Sequence, residues 1–120
     1  VVLRDISFVS HCEHHLAPIN GFVDVAYVPK ERVVGISKIA RVVECFARRL
    51  QTQETMTAQI ANCIQDNLMP AGTAVRTRAT HACMTNRGVC KSGSLLTATT
   101  FKGVFASDLT LKYQFLNGHI

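Results

Sequence analysis

Two short segments of the chain combine cysteine and histidine at spacings that suit a metal ion. Residues 11–15 read His-Cys-Glu-His-His, so that Cys12 and His15 are separated by two residues. Residues 81–83 read His-Ala-Cys and supply a second thiol at Cys83. Zn²⁺ favours thiolate and imidazole ligands, and three protein ligands leave a fourth position for water. The pattern therefore predicts a catalytic zinc site at Cys12, His15 and Cys83, where bound water becomes a nucleophile near neutral pH.

Two further histidines lie next to these predicted ligands. His14 precedes His15, and His81 lies two residues before Cys83. Imidazole has a pKa near neutrality, so both side chains are candidates for moving protons between the bound water and a substrate. The alternatives are that both only pack around the metal, or that the zinc is structural and takes a fourth ligand from Cys90 or His14. An isolated cysteine or histidine more often serves packing, so it is the clustering that favours a metal site.

The strands that must position these segments are predicted from alternation and from β-branched and aromatic content. A turn signal at Asn20-Gly21 precedes the second strand, which Pro29 closes. The second strand therefore forms a hairpin with the first, and the loop between them carries the cysteine and histidine cluster. The predicted strands cover residues 3–9, 22–28, 74–80 and 95–105.

Two helices are predicted between the second and third strands. Apolar residues recur at helical spacing over residues 37–50, with Ser37 as the cap. The second helix covers about residues 53–68 and is stopped by Pro-Ala-Gly at residues 70–72. A short helix after Asp108 closes the chain. The order strand, strand, helix, helix, strand, strand predicts the α+β class, with a four-stranded antiparallel sheet covered on one face by two helices.

The composition limits the classes of function. The 120 residues suit one domain, and 48% hydrophobic with 18% charged residues is a globular balance. The formal charge of +5 suits an anionic partner such as a phosphorylated metabolite. Tryptophan is absent and no stripe of basic and aromatic residues occurs, so nucleic acid is not predicted as a partner. No apolar run reaches the roughly 20 residues of a membrane span, and five cysteines without a secretory signal predict the cytoplasm.

The chain also resembles the GTP cyclohydrolase I family. The resemblance rests on a series of motifs that occur in family order across nearly the whole chain, which is far more specific than any one tetrapeptide. The motifs are Cys-Glu-His-His-Leu at 12–16, Tyr-Val-Pro-Lys at 27–30, Gly-Ile-Ser-Lys-Ile-Ala-Arg at 35–41, Arg-Arg-Leu-Gln-Thr-Gln-Glu at 48–54, Pro-Ala-Gly at 70–72, Thr-His-Ala-Cys-Met at 80–84, Arg-Gly-Val at 87–89 and Gly-Val-Phe at 103–105.

This resemblance implies the tunnelling fold, in which antiparallel sheets from several subunits join into a barrel with the helices outside. It implies active sites between subunits and a homo-oligomer, typically a decamer of two stacked pentameric rings. The implied reaction opens the imidazole ring of GTP at C8, releases formate and gives 7,8-dihydroneopterin triphosphate. Such a product serves the biosynthesis of pterins, tetrahydrofolate or deazaguanine nucleosides.

The resemblance also implies roles for the residues of the cysteine and histidine segments. Cys12, His15 and Cys83 correspond to the zinc ligands. His14 and His81 correspond to the catalytic pair, with His81 placed to protonate the ring nitrogen as zinc-bound water adds to C8. These roles agree with the chemistry inferred from the residue types, since attack on a purine carbon requires a Lewis acid, water and a proton donor.

Six residues correspond to substrate ligands of the family. Glu54, with Gln53 beside it, is implied to read the guanine edge, because a carboxylate accepts the N–H donors of guanine. The triphosphate ligands are implied to be Ser37, Lys38, Arg41 and Arg87. A helix N-terminus at Ser37 and Lys38 suits an anion for independent reasons. Taken singly, each of these cations would more often be a solvated surface charge, and Glu54 an exposed carboxylate at a helix start.

Three departures from the family pattern leave other interpretations open. Thr55-Met56 stands where the family usually has Arg-Leu, so one positive charge near the nucleotide is absent. Cys90 lies where a thiol is not characteristic, and the chain is expected to be a short form without the family's N-terminal helical region. The alternatives are a zinc hydrolase of the same fold acting on another purine or pterin, and a non-catalytic module stabilised by zinc.

Overall fold

A mixed β-sheet forms the centre of the computed structural model, which describes residues 1–14, 16–85 and 93–118. Within these residues the strands are β1 (Val2–Cys12), β2 (Pro18–Val28), β3 (Leu50–Gln51), β4 (Gly72–His81) and β5 (Leu96–Gly103), in the spatial order β3-β1-β2-β4-β5. The four long strands are antiparallel, as predicted. The four-stranded sheet was nevertheless wrong by one strand, because the two-residue β3 adds to β1 in parallel. Two residues show no alternation from which a strand could be predicted.

The helices α1 (Ile36–Ala47) and α2 (Gln53–Leu68) pack on one face of the sheet, as the sequence predicted. The prediction that Ser37 caps α1 was wrong, because the cap residue is Gly35 and Ser37 lies in the first turn. The bounds of α2 were predicted correctly, with Thr52 Oγ1 accepting from the Thr55 amide and left-handed Met69 at the end. The core between helices and sheet contains Val23, Val25, Val75, Ile39, Val43, Met56, Ile60 and Ile64.

The C-terminal segment covers one end of the opposite face. The short helix α3 (Ala82–Thr85) directly follows β4 and is separate from this segment. The segment contains the short helix α4 (Val104–Ser107) and the predicted closing helix α5 (Leu109–Asn117), whose N-terminus is capped by the Asp108 carboxylate. Phe115 of α5 and Phe105 are buried there in an edge-to-face contact with ring centroids 6.0 Å apart. The fourth predicted strand was therefore too long: β5 ends at Gly103 (φ 61°), and the chain turns Phe105 inwards.

A buried carboxylate organises the middle of this second face. Asp24 on β2 is 1% exposed, and its Oδ1 accepts the backbone N–H of Asp5 at 2.9 Å. Asp5 has a positive φ of 58° at the irregularity where the β1–β2 register shifts. Oδ2 of Asp24 accepts from Arg76 Nη2 at 2.8 Å, and guanidinium groups of Arg4 and Arg78 lie 3.5 and 3.4 Å from the carboxylate. One carboxylate thus joins β2 to both neighbouring strands.

The turn predicted at Asn20-Gly21 was wrong, although the hairpin of β1 and β2 is confirmed. Both residues lie inside β2, where Gly21 pairs with Ala79 of β4. A Cβ at position 21 would lie 2.1 Å from the carbonyl oxygen of Arg78, so glycine permits a close approach of β4. The loop of the hairpin is residues 13–17, which lie directly after Cys12.

Candidate functional site

Three segments with predicted site residues meet at one end of the sheet. His81, the last residue of β4, is paired with Ile19 of β2. On the other side of β2, His11 is paired with Pro18, so the end of β1 at Cys12 reaches the same edge. The start of α2 lies at this edge too, because Gln53 contacts His81. The sequence segments 11–14, 53–54 and 81–83 are therefore brought together by the topology of the sheet.

The two described thiols of the predicted metal site lie at this edge in different settings. Cys12 is buried, and its backbone closes a tight turn: its N–H donates to Ala17 O at 2.9 Å and its carbonyl accepts from Leu16 N at 2.8 Å. Cys83 is half-buried in α3, one turn after β4. His15 lies outside the described residues, and among those described no three His, Cys, Asp or Glu side chains are grouped to hold a metal. The predicted zinc site stays a prediction.

His81 is held by a short hydrogen bond. Its Nε2 lies 2.8 Å from Oε1 of Gln53, and its side chain is half-buried. Burial lowers the pKa of His81 below the ordinary value of 6.5, while the negative charge of Glu54 partly offsets this by raising it. The imidazole is therefore neutral at physiological pH, which suits a group that accepts a proton during a reaction.

Gln53 and Glu54 are adjacent in sequence, but the Gln53 side chain is buried and the Glu54 side chain is exposed. Glu54 is exposed in the first turn of α2, where a substrate can reach it. Gln53 is 1% exposed, and its Nε2 donates to Leu96 O at 2.9 Å and to Thr77 O at 3.2 Å. The sequence grouped both residues at the guanine edge, whereas in the structure Gln53 lies behind His81 with its amide bonded inside the protein.

His14 lies on the hairpin loop that follows Cys12. Its side chain is 69% exposed, and its Nε2 is 3.7 Å from the Glu13 carboxylate. A loop position with this exposure leaves the imidazole accessible to a ligand at the edge of the sheet.

The predicted triphosphate ligands lie at the other end of the subunit. Ser37, Lys38 and Arg41 are exposed on the first turns of α1. The chain just before α1 is fixed beside Tyr27, whose hydroxyl accepts from the Val34 amide at 3.2 Å. Tyr27 is eight residues along β2 from the site edge at residue 19, which is about 26 Å at the usual strand rise. Arg87, the fourth predicted triphosphate ligand, lies outside the described residues.

One cavity lies at the His81 end of the sheet and another lies beside Lys38 of α1. A cavity of about 260 Å³ at the site edge is lined by His81, Ala79, Met84 and residues 94–96. A larger one of about 440 Å³ lies between α1 and α2 and includes Lys38 in an otherwise mostly apolar lining. We locate the chemistry at the smaller cavity, because it contains His81.

The β3 segment connects the end of β1 at Cys12 to the start of α2 at Gln53. Cys12 pairs with Gln51 of β3, and the Gln51 carbonyl accepts the Glu13 N–H at 3.0 Å. The Gln51 side chain donates to Phe46 O and to Gln59 Oε1, both at 2.8 Å, which fixes the segment to α1 and α2. Two residues later the chain reaches Gln53 and its contact with His81.

Comparison with known proteins identifies the family of the chain. The family model described as GTP cyclohydrolase I matches residues 1–119. The chain belongs to the GTP cyclohydrolase I family. It is 56% identical to GTP cyclohydrolase 1 of Allorhizobium ampelinum, 53% to that of Bartonella quintana and 51% to that of Rickettsia massiliae, each over 116 residues and 97% of this chain. The matches span 58%, 56% and 61% of those relatives, so the chain corresponds to somewhat more than half of their length.

A solved structure shares the fold of this member of the GTP cyclohydrolase I family. The archaeosine synthase QueF-Like in its apo form superposes with a TM-score of 0.71, covering 86% of this chain and 92% of the other. The two sequences are only 16% identical, so the likeness concerns the fold alone. Within the described residues of the present chain, no helix has the length and apolar character needed to cross a membrane.

The family motifs did not reveal the residues behind His81. Thr77 and Thr57 are fully buried and bond to the Gln53 side chain and backbone, yet in the sequence they are ordinary members of a strand and a helix. Asp24 could have been noticed as an acidic residue between Val23 and Val25, since a charge inside an apolar strand needs partners.

Proposed function

We propose that the protein is a zinc-dependent GTP cyclohydrolase I that opens the guanine imidazole ring at C8, releases formate and yields 7,8-dihydroneopterin triphosphate. The observation that carries the proposal is the position of Cys12, Cys83 and a hydrogen-bonded His81 at one end of the sheet in a member of this family. The proposed product would feed pterin, tetrahydrofolate or deazaguanine biosynthesis, and the proposed location is the cytoplasm.

The donor set at the site edge suits zinc. Two cysteines on separate segments, one buried and one half-buried, would hold the ion together with His15. When bound, zinc supplies a Lewis acid that makes water nucleophilic near neutral pH. The role of the protein here is to supply thiolates from two segments, one at the end of β1 and one just after β4, at the same end of the sheet.

Proton transfer is assigned to the two described histidines. Neutral His81 can accept the proton of the attacking water and deliver it to the ring nitrogen as the C8–N bond breaks. His14, on the accessible loop, is suited to exchange protons with solvent or with the ribose part of the substrate. Both assignments follow the family motif residue by residue.

Substrate recognition is divided between the two ends of the subunit. Exposed Glu54 beside His81 can accept the N–H groups of guanine. The N-terminus of α1, with Ser37, Lys38 and Arg41, and Arg87 are assigned to the triphosphate. Because the two ends are about 26 Å apart along β2, one GTP molecule cannot contact both within a single chain. We therefore infer that each site forms between two copies, in a homo-oligomeric barrel that is a decamer of two stacked pentameric rings.

Mixing two inactive variants tests the composite site. Lys38→Ala and His81→Ala should each abolish formate release from GTP by the zinc-loaded protein. After subunit exchange at equal concentrations, about a quarter of the wild-type activity should return, because one of four neighbour pairings restores an intact site. Recovery that stays at zero after exchange, verified by mass spectrometry of mixed oligomers, would reject the division of the site between copies. Absence of GTP turnover in the wild-type protein would reject the substrate itself.

One observation favours a second candidate function. Thr55, directly after the proposed guanine reader, occupies a position at which the family usually carries arginine, and its hydroxyl contacts only Thr52 among the described hydrogen bonds. A smaller or less charged purine or pterin could therefore be the substrate of the same zinc hydrolase chemistry. Parallel assays with GTP, guanosine and a pterin triphosphate distinguish the two candidates by their relative kcat/KM.

A further inference from the structure

A buried chain of hydrogen bonds lies behind His81. Gln53 is 1% exposed, and Thr57 and Thr77 are fully buried. The chain runs from the His81 ring to the Gln53 amide, then to the Thr77 hydroxyl and the Thr57 hydroxyl, and returns to the Gln53 backbone. Polar groups buried in this way are costly unless every donor meets an acceptor, so their directions can be deduced from their partners.

The orientation of the Gln53 amide follows from two carbonyl groups. Its Nε2 lies 2.9 Å from Leu96 O and 3.2 Å from Thr77 O, and carbonyl oxygens only accept. The NH₂ group must therefore face these carbonyls, and Oε1 must face His81. Because Oε1 can only accept, the His81 nitrogen 2.8 Å away must donate. The proton of a neutral His81 is thus on Nε2.

The directions of the two hydroxyl groups follow in the same way. Thr57 Oγ1 lies 2.7 Å from the Gln53 carbonyl and must donate to it. The Thr57 hydrogen is then used, so the Thr77 hydroxyl donates to Thr57 Oγ1 at 2.8 Å. The Thr77 oxygen in turn accepts from Gln53 Nε2 at 2.9 Å. Each hydrogen bond in this buried network therefore has a defined donor and acceptor. Flipping the Gln53 amide would reverse these roles at a considerable cost in free energy.

We propose that Gln53, whose amide is oriented by the Leu96 and Thr77 carbonyls, is a positioning residue that holds His81 in the Nε2–H tautomer, so that Nδ1 is the basic nitrogen in the reaction. The catalytic part of this statement rests on the proposed function, whereas the tautomer itself does not. A single tautomer matters because the wrong one presents a donor where the reaction needs an acceptor.

Nitrogen NMR on zinc-loaded protein labelled with ¹⁵N-histidine tests the tautomer directly. Spectra recorded at about pH 8, above the ordinary histidine pKa, should show His81 protonated on Nε2, with its signals identified by their loss in His81→Asn. In Gln53→Leu, which removes the acceptor of the His81 proton at similar volume, a second set of signals from the Nδ1–H tautomer should appear. Thr77→Val should keep the wild-type tautomer, because both carbonyls that orient the Gln53 amide remain.

Gln65→Leu is the matched control. Gln65 lies near the other end of α2, where its Oε1 accepts from Thr73 Oγ1 at 2.9 Å and its Nε2 donates to Pro70 O at 3.1 Å. This variant should lose stability through the same kind of change and leave the His81 signals unchanged. A wild-type His81 protonated on Nδ1, or equal spectra for Gln53→Leu and the wild type, would overturn the proposal.

Kinetics tests the catalytic part separately. Gln53→Leu should lower kcat about tenfold, the loss expected when one hydrogen bond no longer selects the reactive form, with KM for GTP unchanged and Gln65→Leu near the wild type. A changed tautomer with an unchanged kcat would refute the catalytic role. If the wild type does not turn over GTP, the proposed function fails while the NMR result still decides the tautomer.

Discussion

Replacing Asp24 with asparagine should destabilise the fold more than any single surface change. The substitution keeps the shape of the side chain but removes the negative charge that faces Arg4, Arg76 and Arg78. The asparagine NH₂ group would also place a donor against a guanidinium donor. Removing one partner of a buried ion pair costs about 3–5 kcal/mol. The three guanidinium side chains are 17–36% exposed and keep part of their hydration, so we expect about 2–4 kcal/mol.

Urea denaturation at matched protein concentration measures this loss. A destabilisation of about 3 kcal/mol lowers the midpoint by roughly 1–2 M with an unchanged slope. Asp5→Asn is the control, because Asp5 is 68% exposed, pairs with Arg78 and has a positive φ that asparagine tolerates. It should cost under about 1 kcal/mol. Equal losses for the two variants would refute the conclusion that Asp24 organises the second face of the sheet.

The pH dependence gives an independent check on Asp24. Burial by itself would raise the pKa of this carboxyl, but the Asp5 amide and the groups of Arg76 and Arg78 outweigh it, so the pKa lies below the ordinary 3.8. A lowered folded pKa means that the contribution to stability is complete above about pH 4 and is lost as the pH falls through the folded pKa. The difference in stability between wild type and Asp24→Asn should therefore be constant at neutral pH and shrink below pH 3.8.

Two further predictions concern the site. Cys83→Ala should lose bound zinc, whereas His81→Ala should retain it and lose ring opening, as measured by metal analysis and formate release on the same samples; equal loss of metal in both would make His81 a ligand. Glu54→Gln should reduce kcat/KM for GTP by about 10- to 100-fold, because a buried guanine N–H would lose its charged acceptor, and an unchanged value would contradict its role as guanine reader.

The local sequence predicted the elements well where they depend on residues close in the chain. The helix at residues 53–68 was predicted correctly because its apolar stripe lies within the segment and its terminating Pro-Ala-Gly at residues 70–72 follows closely. β3 and the position of Gly21 were not predicted, because each depends on a backbone that is distant in sequence: β1 in one case and β4 in the other.

The candidate site shows the same limit. Residue types and family motifs identified Cys12, His81 and Glu54, and the topology brings their segments to one edge. The same reasoning treated Gln53 and Glu54 alike, since spacing does not show that one is buried and the other exposed. Thr77 could not be identified from its residue type, because its role depends on which hydroxyl and which amide meet inside the core.

The number of residues between Leu50 and Glu54 sets the distance between the Cys12 segment and His81. Gln51 is paired with Cys12 at one end of this connection, and Gln53 contacts His81 at the other, with a single residue between them. One inserted or deleted residue here would displace the cysteine and histidine loop from the imidazole by about 3 Å, even if every site residue were retained. Chimeras between family members should therefore avoid crossover points in residues 50–54. Exchanges in exposed loops elsewhere should leave the distance between the Cys12 segment and His81 unchanged.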